Sequence, residues 1–139
     1  MSKARTNADN ADDGVTLIGT ETLTNKTLTS PTVTLATIAQ TATYTAVITD
    51  ASGLVTMDVA TANDFKIPAN TSVAYAIGTV INVLQIGAGQ TTIKANSSDI
   101  TTVYSTGATT AAPKLREQFS AASCIKTGTD TWYVVGDIN

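Results

Sequence analysis

The 139-residue chain has no histidine, one cysteine (Cys124) and two glutamates, Glu21 and Glu117. Without histidine it lacks the side chain that ordinarily titrates near neutral pH, the commonest zinc ligand and every Ser–His or Cys–His nucleophile pair. One cysteine can form neither a thiolate cluster nor an intrachain disulfide. Catalysis would have to run on carboxylates, as in glycosidases with two acids flanking the scissile bond. Glu117 stands beside Arg116, where a surface ion pair is the simpler role. Of the nine aspartates, Asp50, Asp64, Asp99 and Asp130 fall at turn positions, where a short carboxylate caps the backbone. No residue is assigned a catalytic role, and the chain reads as a non-enzyme.

Other motifs are equally thin. A-D-N-A-D-D-G at 8–14 has the acid density of a calcium loop but not its D-x-D-x-D-G spacing or closing Glu. I-G-A-G-Q-T at 86–91 lacks the G-K-[ST] of a phosphate loop and reads as a hairpin turn. No metal or cofactor is expected. The sequons at Asn25, Asn70 and Asn96 are what chance provides in a chain so rich in Thr and Ser. Cys124, in A-A-S-C-I-K-T, reads as an inert buried thiol. A sugar platform could draw only on Tyr44, Tyr75, Tyr104, Tyr133 and Trp132. Aromatics on strands are mostly core, so Tyr75 and Tyr104, nearest to loops, are the candidate glycan contacts.

Charged residues are sparse, 14% against about 25% in a typical soluble domain, and Thr supplies about a fifth of the chain. β-Branched Thr favours strands over helix interiors. The net charge is −3 and no basic stripe exists, which argues against a nucleic-acid partner. No apolar run approaches the ~20 residues of a membrane helix. M-S-K-A-R-T-N-A-D-N-A-D-D-G-V-T has no apolar stretch of a secretory signal.

From Ala42 onwards, about eight short strands alternate with turns. T-Y-T-A-V-I-T, the turn Asp50–Gly53 and L-V-T-M-D suggest one hairpin; G-T-V-I-N-V-L-Q-I-G, Gly87–Gln90 and T-T-I-K-A suggest another. D-F-K-I-P-A, D-I-T-T-V-Y and K-L-R-E-Q-F-S are further strand candidates. A-S-C-I-K-T and T-W-Y-V-V-G-D-I follow, joined by a G-T-D turn. The spacing predicts an all-β domain, a β-sandwich or jelly roll, over 41–139. Val80, Val83, Leu84, Trp132 and Val134 are its expected core or subunit seam.

Residues 1–40 differ. In T-L-T-N-K-T-L-T-S-P-T-V-T-L-A-T-I, a Thr-aliphatic pair recurs every five residues, at Leu23, Leu28, Val33 and Ile38. An odd spacing places successive aliphatics on opposite faces of an extended chain, and Pro31 keeps Ser30 extended. Such a segment cannot bury both faces alone. It is expected to be an anchoring arm whose aliphatics are covered by neighbouring subunits.

The segment G-T-E-T-L-T-N-K-T-L-T-S-P-T-V (19–33) resembles one that recurs in structural proteins of tailed bacteriophages, notably tail fibres and particle appendages. I-P-A-N-T-S-V-A-Y-A-I-G-T-V-I-N-V-L-Q-I-G-A-G-Q-T-T-I and K-L-R-E-Q-F-S-A-A-S-C-I-K-T-G-T-D-T-W-Y-V-V-G-D-I are similar to central and C-terminal parts of such β-domains. The resemblance implies a homotrimer on the virion surface, made in the host cytoplasm. Its N-terminal region would anchor to the major capsid protein or another virion subunit. The chain is shorter than a typical fibre and has no long shaft. A capsid decoration (cement) protein or head fibre is therefore expected, with a short tail fibre or spike recognising host-surface glycan as the alternative.

Overall fold

The computed structural model describes Ser30 and residues 32–96, 101–106 and 111–139. The chain divides into two units, Met1–Val33 and Thr34–Asn139, and the second holds all the described strands. These are β1 (Thr37–Gln40), β2 (Tyr44–Thr45), β3 (Leu54–Met57), β4 (Asn63–Ile67), β5 (Val80–Gln85), β6 (Thr91–Ala95), β7 (Thr102–Ser105), β8 (Ala121–Gly128) and β9 (Thr131–Gly136). A 3-10 turn, Ile48–Asp50, is the one helical element among the described residues. The fold is all-β, as the Thr-rich, charge-poor composition predicts. One sheet has six strands in the order β1-β3-β5-β8-β9-β7, and the other has three, β2-β4-β6.

The first six strands are wound rather than folded back. Each pass of the chain adds one strand to each sheet, and all neighbours among β1–β6 are parallel. The second and third passes keep a single 28-residue offset, from Leu54 beside Asn82 to Ile67 beside Ala95. The two expected hairpins are therefore not made. Asp50–Gly53 is a turn, with Gly53 N–H donating to the Asp50 carbonyl at 3.0 Å, but it leads into β3, which is parallel to both its neighbours. Gly87–Gln90 is a corner that carries the chain from one sheet to the other.

The physical reason lies in that corner. A Cβ on Gly87 would stand 2.3 Å from the Val59 backbone, and one on Gly89 would stand 1.9 Å from the Thr61 carbonyl oxygen. Glycine is needed there for close approach between successive passes. The ladder continues round the bend, with Gly87 N–H donating to Met57 O (3.0 Å) and Gly89 N–H to Val59 O (2.8 Å). Buried side-chain amides add further bonds at the corner. Asn63 Nδ2 donates to Thr61 O (3.0 Å) and Gly89 O (3.2 Å), and its Oδ1 accepts from Thr91 Oγ1 (2.9 Å). Gln85 Oε1 accepts from Thr91 N–H (3.0 Å).

The expected G-T-D turn joins β8 and β9 as an antiparallel pair at Thr129–Asp130; β8 also pairs antiparallel with β5, while β7 pairs with β9 in parallel. K-L-R-E-Q-F-S is not a strand. Lys114 and Leu115 make single bridges to Thr92 and Ile138, and the chain then turns at 118–119. Val55, Met57, Ile81, Val83, Trp132 and Val134 of the larger sheet join Phe65, Ile67 and Ile93 of the smaller in one core. Trp132 meets Tyr75 edge-on, with centroids 5.5 Å apart, a geometry worth about 0.5–1.5 kcal/mol beyond area burial.

Candidate interaction surface

Side chains alternate across each strand, so β5, β8, β9 and β7 present a second face away from the core. Strand register sets its composition. Tyr104 of β7 lies beside Tyr133 of β9, Tyr133 beside Ile125 of β8, and Ile125 beside Val80 of β5. The next row runs Val135, Ser123, Asn82 and then Leu54 of β3. Tyr104 is 50% exposed, Tyr133 42% and Val135 37%; Ile125 and Val80 are half-buried. The two tyrosine rings lie 5.1 Å apart, inclined at 32°. No outward residue of these four strands is charged. Polar atoms in the middle of the face are already paired: Ser123 Oγ donates to Asn82 Oδ1 (2.8 Å), and Asn82 Nδ2 to Gly53 O (3.2 Å).

The one charged residue of these strands, Lys126, turns inward and is 2% exposed. Its ammonium donates to Asn70 Oδ1 (2.6 Å) and the Tyr75 carbonyl (2.7 Å), 6.0 Å from the Trp132 ring centroid. Asp130 supports the same loop by accepting from Asn70 N–H at 2.6 Å. Burial lowers the Lys126 pKa, and nearby Asp130 works against that shift. Lys126 thus ties the 68–79 loop beneath the β8–β9 hairpin.

The expected contact residues fare differently. Leu23 and Leu28 lie outside the described residues. Val33 is 83% exposed. Ile38, expected in the arm, belongs to β1 and packs against the core of the β-domain. Tyr75, expected to meet glycan, is buried, and its hydroxyl donates to the Val47 carbonyl; a ring enclosed by Trp132 and the strands offers no face to a sugar. Tyr104 is exposed as expected. Among the proposed core or seam residues, Val83, Trp132 and Val134 are core, while Val80 and Leu84 face outward. Tyr133 is the partner that sequence reasoning did not single out. The alternation in T-W-Y-V-V puts it opposite Trp132, but only the parallel β7–β9 register brings it to Tyr104.

Chemistry elsewhere is sparse. Burial pushes the Cys124 thiol up to about 12, where almost no thiolate forms at neutral pH. Asp50 is buried as a structural acceptor for Tyr44 Oη (3.0 Å) and Val47 N–H (2.8 Å). Among the described residues no three His, Cys, Asp or Glu side chains come together, and no helix is long and apolar enough to cross a membrane. An open depression of about 490 Å³ is lined by Lys94, Asn96, Thr101, Val103 and Ala111, among others. Lys94 is paired with Asp64 at 2.8 Å, and the buried Thr101 Oγ1 has no hydrogen-bond partner among the described residues. No family model, characterised protein or solved structure matches the chain.

Proposed function

We propose that this chain is a non-enzymatic structural protein of a tailed-phage particle, a capsid decoration (cement) protein or head fibre. Its two-sheet domain, packed as a sandwich, faces outward, and its N-terminal arm grips the major capsid protein or a neighbouring virion subunit. The observation that carries this reading is the uncharged outer face of β5, β8, β9 and β7 with the exposed Tyr104–Tyr133 pair at its edge, a surface suited to contact between proteins. The N-terminal resemblance supplies the phage context. A homotrimer with three arms converts weak single contacts into tight attachment, because each later contact forms at high effective concentration. Leu23, Leu28 and Val33 form the grip; Ile38 is left out of it because it is half-buried against the β-domain core.

The test is decoration of purified particles. Leu23→Asp with Leu28→Asp is expected to abolish attachment while leaving the β-domain spectrum unchanged. Full occupancy by this double variant would remove the anchor from the reading.

Exposure of the Tyr104–Tyr133 pair favours a second reading, a short tail fibre or spike subunit that stacks sugar rings of host-surface glycan. β7 also contributes Thr101-adjacent residues to the open depression. Saturable binding of the protein to host cells, weakened by Tyr104→Ala, would favour this reading over the first.

A further inference from the structure

We infer that the outer face of β5, β8, β9 and β7 is where copies of this chain meet, with Tyr104 and Tyr133, on the two strands at its edge, as the main contact residues. This deepens the oligomer proposed above and does not depend on the phage particle. Charge is the first reason. Each copy carries a net −3, so self-association is least opposed where neither partner presents a formal charge. These four strands contain one charged residue, Lys126, and it is turned into the core. An acidic or basic partner would call for complementary charge on this face, and none is there.

Dehydration is the second reason. Burying an unpaired polar group costs free energy, but Asn82 and Ser123 are already bonded to each other and to Gly53 O. The remaining polar groups on the face are Thr hydroxyls, which can rotate to a new acceptor, and the two phenols. Residue type is the third reason. Tyrosine is enriched among residues that dominate interface energy, and a row of apolar side chains continues the pair across the sheet, Ile125 beside Tyr133 and Val80 beside Ile125. The Lys94–Asp64 and Arg116–Asp137 ion pairs involve none of these strands.

The test is sedimentation equilibrium of the full chain across a concentration series, on the wild type and three double variants. Wild type is expected to exceed the monomer mass. Tyr104→Lys with Tyr133→Lys places like charges at the contact and is expected to weaken association by about 100-fold or more. Tyr104→Thr with Tyr133→Thr keeps strand-compatible residues and is expected to shift the equilibrium the same way, which decides the matter if the lysine variant misfolds. Leu23→Asp with Leu28→Asp is expected to leave the mass unchanged. A wild type that is monomeric up to ~100 μM, or tyrosine variants that associate like wild type, would overturn the inference. Dissociation by the arm variant alone would assign assembly to the arm and also overturn it, while leaving the particle reading intact. Loss of decoration with assembly retained would be a result about the arm, not this face.

Discussion

The two faces of the β8–β9 hairpin come from the same fourteen strand residues, eight in β8 and six in β9, and follow opposite rules. Inward, Trp132, Val134, Cys124 and Lys126 are all nearly inaccessible, and the one ammonium among them has two close acceptors. Outward, Tyr133, Val135 and Ile125 are apolar yet partly open to solvent. The inner face must satisfy every polar atom because water is excluded. The outer face carries polar atoms that are satisfied although water could reach them. A surface whose central amide and hydroxyl are already paired, and whose other polar groups are rotatable hydroxyls, loses its water at little cost.

Substitutions on the two faces should separate sharply. Trp132→Ala removes the largest buried side chain and the edge contact to Tyr75 and is expected to cost about 3–5 kcal/mol, read as a lower urea midpoint. Lys126→Met keeps the aliphatic stem but leaves Asn70 Oδ1 and the Tyr75 carbonyl without their donor. A cost of about 1–3 kcal/mol is expected, together with faster proteolysis within 68–79.

Alkaline pH probes the inner side again. Burial, reinforced by Asp50, raises the Tyr44 hydroxyl to about 12, and burial moves Tyr75 in the same direction. Both folded values lie above the unfolded value of 10.0, so their contribution is intact below pH 10 and lost as pH rises towards 12. Lys126 has the opposite sign, but its contribution stops changing above its unfolded value of 10.5. The urea midpoint is therefore expected to fall between pH 10.5 and 12, and to fall less in Tyr44→Phe. The smallest effect belongs to the outer face. Under dilute conditions where the chain is monomeric, Tyr133→Thr is expected to change stability by less than about 1 kcal/mol. A larger loss would mean that the face belongs to the fold itself.

What the sequence disclosed follows from which information is local. Alternation within T-W-Y-V-V sets Trp132 and Val134 opposite Tyr133 and Val135, and within V-I-N-V-L-Q sets Ile81 and Val83 opposite Val80 and Leu84; the structure keeps both divisions, but which face of each strand is core depends on its neighbours. Asp50 lies at its expected turn and accepts the nearby Val47 N–H; Asp130 also lies at a turn but accepts from Asn70 in a distant loop, and Asp64, expected at a turn, lies within β4. Strand partners are not local. I-G-A-G-Q has the composition of a hairpin, and nothing within it reveals that Val59 and Thr61, on the previous pass, fill the space that a Cβ would need. Tyr75 failed for the same reason: its loop neighbours suggest exposure, but Lys126 and Trp132, over fifty residues away, hold it inside. Tyr104 and Tyr133 are ordinary strand tyrosines until parallel pairing places them side by side.

The most direct test of the division between faces is hydroxyl-radical footprinting of the full chain by mass spectrometry over a range of protein concentrations. Trp132 and Tyr75, both buried, should stay protected throughout, while Phe119 and Ile77, 70% and 68% exposed, should stay reactive. Tyr104 and Tyr133 are expected to be oxidised at low concentration and to become protected together as concentration rises. Constant reactivity at both tyrosines while the sedimenting mass increases would place the contact elsewhere and contradict the assignment of this face.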